Sequence, residues 1–339
     1  MTARPVNRRR LVGGIAAIGT ASIVIKSVEA AEYRFVQYHN QAVTSALHRR
    51  LVEMWDTVRR ETNGRVETEV FAENNKISGS DPAALNMLVD GKIQFFTLMG
   101  GILGNVVAAA EVQQVPFSFR TAHEAHAAMD GALGRYLCAE MAGKGIYGFT
   151  VGAFDNGMRQ ISCSTHAVIE PADLAGVKIR IPAGQMANDT FSALGAEPVA
   201  INVNGLYDAL KTGRVEAQEN PLAIIELFRL YEVQRYISMT NHMWSGFNQM
   251  AHLPTWNSLP ATLQEVIERQ LQVHVRLQRK DQATLNASLR DKLGQRGLEI
   301  NDVDPTPFRS KLSGVYAKWK DKLGSKCWSL LEESTGQLG

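Results

Sequence analysis

Along this chain the spacing of hydrophobic positions switches repeatedly between two periods. From Tyr33 to Tyr38 apolar and polar residues alternate, the period of a strand with one buried face. Leu47, Leu51, Trp55 and Val58 then recur on one helical face of residues 42–62, and Asn63-Gly64 stops the helix. Alternation returns at Val66, Thr68 and Val70; Asp81-Pro82 opens another helix to Val89, and Ile93 to Leu98 reads as a third strand. Strands separated by helices of this length are most simply parallel with right-handed crossovers, which predicts an open α/β sheet. Ligands of such sheets bind beyond the carboxyl ends of the strands. The loops after Tyr38 and Leu98, holding His39-Asn40 and Met99-Gly100-Gly101, are therefore candidate site loops.

Farther on, Thr121 and Glu124 form a capping box that predicts one helix to about Met141, and Ile146–Val151 reads as a strand. Lys178–Pro182 is a short strand ended by proline, followed by a glycine turn, a helix over 188–194, a strand over 200–203 and a helix over 206–211. Residues 259–297 form one long helical tract, several times the usual mean of about 12 residues, so it braces more than one lobe or is broken. A last short strand at 298–300 precedes helix from Pro305, with Phe308, Leu312, Tyr316 and Trp319 on one face.

Composition permits this reading and narrows the function. The 339 residues suffice for two lobes, and a net charge of +2 with interleaved acids and bases gives no nucleic-acid surface. At the N-terminus Arg4, Arg8, Arg9 and Arg10 precede the apolar run 11–25, too short to span a membrane, with Val28 and Ala30 at the positions a signal peptidase reads. Residues 1–30 are thus expected to be an export signal. Asn7 to Leu11 resembles a twin-arginine signal, and a charged n-region of the general export route looks the same. Cys138, Cys163 and Cys327 show no metal spacing, and their pairing is left open; His123 and His126, at i and i+3, lack a signposted third ligand. No GxGxxG or GxSxG follows a strand, and HExxH is absent from the sequence.

The stretch 173–221 carries the candidate chemistry. An arginine at the end of the strand Lys178–Pro182, beside helix N-termini, can hold a carboxylate by two parallel hydrogen bonds, which singles out Arg180. Asn220 before Pro221 is biased away from helix, so its amide projects from a strand-to-helix junction and can both donate and accept. DLAGVKIRIP at 173–182, ALGA with Pro198, Tyr207 to Gly213 and QENP at 218–221 occur in this order and spacing. Together these blocks resemble the solute-binding proteins of tripartite ATP-independent periplasmic (TRAP) transporters, of the dicarboxylate-binding (DctP) type, and the similarity extends more weakly from about Ala31 to the C-terminus.

The resemblance implies a two-lobed periplasmic solute-binding protein, a Venus flytrap of α/β class with mixed, mostly parallel sheets and a long helix spanning both lobes. It implies lobe I from 31–156 plus 246–285, and lobe II from 157–245 plus 286–339. Arg180 and Arg159 would grip an organic carboxylate, Asn220 would orient it, and Asn40 and Met99 would line the site. The interval from Arg159 to Arg180 is one residue longer than in some relatives, and both arginines are read as staying in register. Gln218 and Glu219 are read as hinge or interlobe residues, with Glu216-Ala217 where the family has Asp-Gly. His242 either reaches the ligand or is a satisfied half-buried histidine; Trp244 is either an apolar wall or core. Met99-Gly100 stands where some relatives carry an acid, which leans towards a monocarboxylate with a hydroxy, keto or aromatic part. The implied partners are a small and a large membrane subunit, with a monomeric binding protein, no cofactor and no enzymatic activity. A periplasmic sensor on the same fold is the alternative.

Overall fold

The computed structural model describes residues 31–74, 77 and 81–338; the expected export signal lies outside them. The chain opens as expected with β1 (Tyr33–His39), α1 (Ala46–Glu61), β2 (Val66–Phe71), α2 (Asp81–Val89) and β3 (Phe95–Met99). Ser45 caps α1 by accepting from the His48 amide, and Asn63 and Gly64 end it with positive φ. A four-residue helix, α3 (Gly100–Leu103), and a 3-10 segment at Ala108–Gln114 follow β3.

The helix expected to run from Thr121 to Met141 is two helices, α4 (Ala122–Asp130) and α5 (Ala132–Ala142). Gly131, at φ −99° and ψ −148°, leaves helical space between them. Next comes β4 (Ile146–Cys163), which does not stop at Val151 but runs for 18 residues. The second half of the chain adds β5 (Lys178–Ile181), α6 (Gln185–Ala193), β6 (Glu197–Ala200), α7 (Leu206–Lys211), β7 (Ala217–Asn220) and α8 (Leu222–Leu227). The strand expected at 200–203 is therefore three residues earlier, because β5 pairs Lys178 with Glu197 and Ile181 with Ala200. An unexpected 17-residue strand, β8 (Tyr236–His252), leads to α9 (Leu253–Asn257), α10 (Ala261–Gln295), β9 (Glu299–Asp302), α11 (Thr306–Lys311) and α12 (Ser313–Thr335).

The strands form one mixed sheet in the order β2-β1-β3-β8-β4-β7-β5-β6, with β9 on β8. Five of the eight pairings among the described residues are parallel. The antiparallel pair β4–β8 is the spine, each strand about three times the usual five to six residues. One end of the spine is flanked by β3-β1-β2, and the other by β9 on one side and β7-β5-β6 on the other. Between them the pairing register shifts from Asp155 opposite Gly246 to Gly157 opposite Ser245. Such a bulge bends its strand and re-aims side chains.

Helix α10, 35 residues and about 50 Å long at 1.5 Å per residue, crosses behind that bend. Its outer thirds bury Leu263, Ile267 and Leu271 at one end and Leu289 and Leu293 at the other, while its middle buries Gln278 and Gln282. These two amides serve the bent backbone. Gln278 accepts from the Asp155 amide (2.8 Å) and donates to its carbonyl (2.6 Å), and Gln282 donates to the Asn156 carbonyl (3.2 Å). Arg279 adds bonds to the Ala153 carbonyl and to Asp130. Apolar side chains pack into two clusters, the smaller one built from α7, α8, Ile237 and the C-terminal end of α10. α12 packs on α4, α5 and the 108–114 segment and also on α6.

Candidate functional site

A cavity opens at the bend, and five of the seven residues singled out from the sequence line it: Asn40, Met99, Arg159, Arg180 and Asn220. Met99 lies at the carboxyl end of β3 and Asn40 just beyond that of β1, as the topology of an open sheet requires. Gln41, Asp81 and Asn156 add polar groups, and Ile102, Pro182, Ile224 and Phe247 part of an apolar wall. The cavity measures about 20 Å³, room for a single water. A second chamber of about 270 Å³ adjoins it, sharing Gln41, Asn156, Ile224 and Phe247.

Arg180 sits in β5 between the buried Ile179 and Ile181 and is itself only 3% exposed. Its Nε donates to the Ile201 carbonyl at 2.7 Å. Neither Nη1 nor Nη2 has a hydrogen-bond partner among the described residues. Burial draws its pKa down to about 10; Glu219 and Asp81 oppose that fall, and the neighbouring Arg159 adds to it. An arginine stays protonated at such a value, so the cavity wall holds a buried cation with an open fork.

The turn after Arg180 is fixed from elsewhere in the chain. Gly184 gives α6 no side-chain cap, and the carboxylate of Glu111 takes its place by accepting from the amides of Gln185 (2.9 Å) and Met186 (3.3 Å). Asn105 donates to the Ala183 carbonyl at 2.8 Å. Burial pushes the Glu111 carboxyl up to about 7 despite those two amides.

Arg159, 2% exposed in β4, is saturated by contrast. Its Nε and Nη2 bind the Glu219 carboxylate, with Nη2 2.7 Å from Oε1. Nη2 also donates to the Glu219 carbonyl (2.7 Å) and to Asn220 Oδ1 (3.2 Å), and Nη1 to Ser245 Oγ (3.2 Å). Burial raises the Glu219 pKa, but Arg159 and His242 outweigh it and hold the group at about 2. His242 Nε2 is 3.1 Å from Glu219 Oε2 and its Nδ1 2.7 Å from Thr240 Oγ1. An ionised Glu219 only accepts, so Nε2 carries the proton and Nδ1 accepts from the threonine hydroxyl. Burial keeps this imidazole neutral by pulling its pKa down.

His242 and Trp244 do not reach the cavity. His242 stands behind Glu219 with its ring edge-on to Phe191, a buried and satisfied histidine. Trp244 is core: its Nε1 donates to Asp155 Oδ1 at 2.9 Å, and it packs edge-on to Phe119 and His126. The close approach of its indole requires Gly246, where a Cβ would lie 1.9 Å from the ring. His126 is half-buried beside it and His123 exposed. The three cysteines are free.

Asp81 is the site residue that the sequence presented only as a helix-opening residue. It is 3% exposed, accepting from Asn40 Nδ2 (2.9 Å) and Asn74 Nδ2 (2.5 Å), and burial raises its pKa. Asn40 in turn accepts from Gln41 Nε2 at 2.9 Å. Asn220 donates to Gln218 Oε1 at 2.6 Å while accepting from Arg159. The Arg180 fork, without a partner on Nη1 or Nη2 among the described residues, can take a planar anion in two parallel charge-assisted bonds.

Comparison with known proteins places the chain in a family. The family model for DctP, bacterial extracellular solute-binding protein family 7, matches residues 38–322. The chain is 27% identical over 319 residues to a 2,3-diketo-L-gulonate-binding periplasmic protein of Escherichia coli K12, covering 92% of each. It is 24% identical over 322 residues to the C4-dicarboxylate-binding periplasmic protein of Rhodobacter capsulatus, covering 93% of this chain and 92% of that one. Among solved structures, a TRAP periplasmic solute-binding protein of Chromohalobacter salexigens with bound D-glucuronate superposes with a TM-score of 0.84 at 23% identity, covering 89% of this chain and all of that one.

Proposed function

The chain belongs to the bacterial extracellular solute-binding proteins of family 7, and from that premise we propose that it is the periplasmic binding subunit of a TRAP transporter, closing on an organic acid. The observation that carries this reading is the fork of Arg180, a buried cation at the cavity wall whose Nη1 and Nη2 have no hydrogen-bond partner among the described residues. A ligand carboxylate pairs with Nη1 and Nη2. Arg159 acts differently from a second clamp: with its fork filled by Glu219, it holds β7 and Asn220 in place and keeps at most one Nη1 proton for the ligand. Asn40, Asn156 and Asn220 meet ligand oxygens, Asp81 accepts from a ligand hydroxyl, and Met99 packs against the carbon skeleton. His242 and Trp244 support the wall from behind.

The carboxylates named for the relatives, a diketo sugar acid and C4-dicarboxylates, fit the same group chemistry. The lobe boundaries at 156/157, 245/246 and 285/286 are supported by the register shift at Asp155–Gly157 and by Asn286, the α10 side chain nearest Gly157. With Arg180 only 3% exposed at a cavity of about 20 Å³, the lobes part to load the ligand. Closure then excludes water, which strengthens each polar contact, and alters the face offered to a small and a large membrane subunit. The acid leaves chemically unchanged.

A thermal-shift screen against small carboxylates, with Arg180→Ala alongside, tests this. A ligand at a hundredfold excess over its dissociation constant should add about 2.7 kcal/mol of stability to the wild type and none to the variant. An acid that stabilises both proteins equally contradicts the reading.

A further inference from the structure

The chamber of about 270 Å³ beside the arginine cavity lies between the start of α1, α8 and the middle of α10, and nothing in the carboxylate clamp uses it. Its walls are acidic in a particular way. Asp281 is neutralised by Arg50 (2.7 Å), and Glu226 by Lys292 (2.7 Å) and Arg296 (2.9 Å). Among the described residues Asp155 has no lysine or arginine partner. It is 3% exposed; its Oδ1 accepts from Trp244 Nε1 and the Gly157 amide, both at 2.9 Å, and lies 3.5 Å from His126 Nε2. Its Oδ2 has no hydrogen-bond partner among the described residues. Arg49, the one basic residue lining the chamber among the described residues, is exposed and turned to the Thr44 carbonyl (2.7 Å).

We propose that this chamber is the subsite for the tail of the ligand and that Asp155 selects tails bearing hydrogen-bond donors, hydroxyl or ammonium, against tails ending in a second carboxylate. The inference rests on the carboxylate reading of Arg180. A carboxylate on Arg180 uses the arginine cavity fully, so any longer acid must send its remaining atoms through the opening formed by Gln41, Asn156, Ile224 and Phe247. There the tail meets the Asp155 oxygen that lacks a donor, and covering an acceptor without supplying one is costly. A hydroxyl or ammonium supplies the donor. A second carboxylate would instead stand against a like charge with only an exposed arginine to offset it. The substrate class is therefore the polyhydroxylated or amino monoacids, with unsubstituted dicarboxylates disfavoured.

Calorimetric titration of the purified protein with three probes tests this: glycolate, D-galactonate and galactarate, the last differing from galactonate by a second carboxylate at the tail. Galactonate should bind at least about tenfold more tightly than galactarate. Asp155→Asn keeps an oxygen for Trp244 and Gly157 while removing the charge, and should narrow that gap. Ala223→Phe, which places a ring in the chamber, should weaken galactonate about tenfold and leave glycolate within about twofold, since only the tail is displaced. Equal affinity for galactonate and galactarate, or galactonate binding untouched by Ala223→Phe, overturns the proposal. Arg180→Ala separates the two levels: if it binds all three probes normally, the carboxylate reading itself has failed.

Discussion

Two buried arginines face one cavity, and the protein has treated them in opposite ways. Arg159 has a carboxylate, a carbonyl, an amide oxygen and a hydroxyl around it, and its counter-ion Glu219 is itself backed by His242 and Thr240. Arg180 has a single carbonyl on Nε and an empty fork. Desolvating a charge costs several kcal/mol whether or not a partner follows it. On the Arg159 side the chain itself supplies the partner, so the network is architecture. On the Arg180 side none is supplied, and the deficit is left for something from outside. Side-chain identity does not separate a structural arginine from a binding one; the count of unfilled donors does.

Exchanging the two arginines' roles is the largest expected effect. Arg159→Ala leaves Glu219 buried and unpaired, and should lower stability without ligand by about 3 to 5 kcal/mol in urea unfolding. Arg180→Ala should do the reverse, costing about 2 to 5 kcal/mol of acid affinity while leaving ligand-free stability unchanged or raised, because it removes a buried charge whose Nη1 and Nη2 have no partner among the described residues. Equal loss of stability in both variants would dissolve the distinction.

Acidity sharpens the comparison. Glu219 has a folded-state pKa near 2, below its ordinary 4.5, so its contribution is present above about 4.5 and is lost as pH falls towards 2. Asp81, on the Arg180 side, is raised by burial, so the sign reverses: the folded state holds its proton more firmly, and stability from this group declines as pH rises from the ordinary carboxylate range through the raised value. Unfolding profiles of Glu219→Gln and Asp81→Asn against wild type should therefore differ with opposite slopes. Parallel profiles would show that both carboxylates are equally paired.

The smallest effect belongs to Asp81 as a ligand acceptor. Asp81→Asn should weaken a hydroxylated acid by about 1 kcal/mol and leave its deoxy counterpart unaffected, read from paired titrations. The same loss for both acids would place Asp81 outside ligand contact.

The parts of the fold that alternate cleanly were legible in the sequence. β1, β2, α1, α2, α7 and the long α10 follow from period, caps and glycine stops, and Arg180 and Asn220 from their strand-end positions. What escaped was the spine. β4 beyond Val151 and all of β8 carry Asp155, Asn156, Arg159, His242, Ser245 and Asn248 at buried positions, so the polar pattern of a loop covers strands whose polar side chains satisfy one another. Asp81, Glu111 and Asp155 were hidden for a related reason. Each is recognised only by what surrounds its carboxylate, and those neighbours come from 41 residues away for Asn40 at Asp81, 74 and 75 for Gln185 and Met186 at Glu111, and 89 for Trp244 at Asp155. The separate assignment of His242 and Trp244 to core is likewise a matter of which neighbours fill their donors.

The most direct test is a crystal structure of the protein with the tightest-binding acid of the screen. The account predicts both carboxylate oxygens within hydrogen-bond distance of Arg180 Nη1 and Nη2, with Arg159 still bound to Glu219. A ligand carboxylate that displaces Glu219 from Arg159 and leaves the Arg180 fork empty would contradict it.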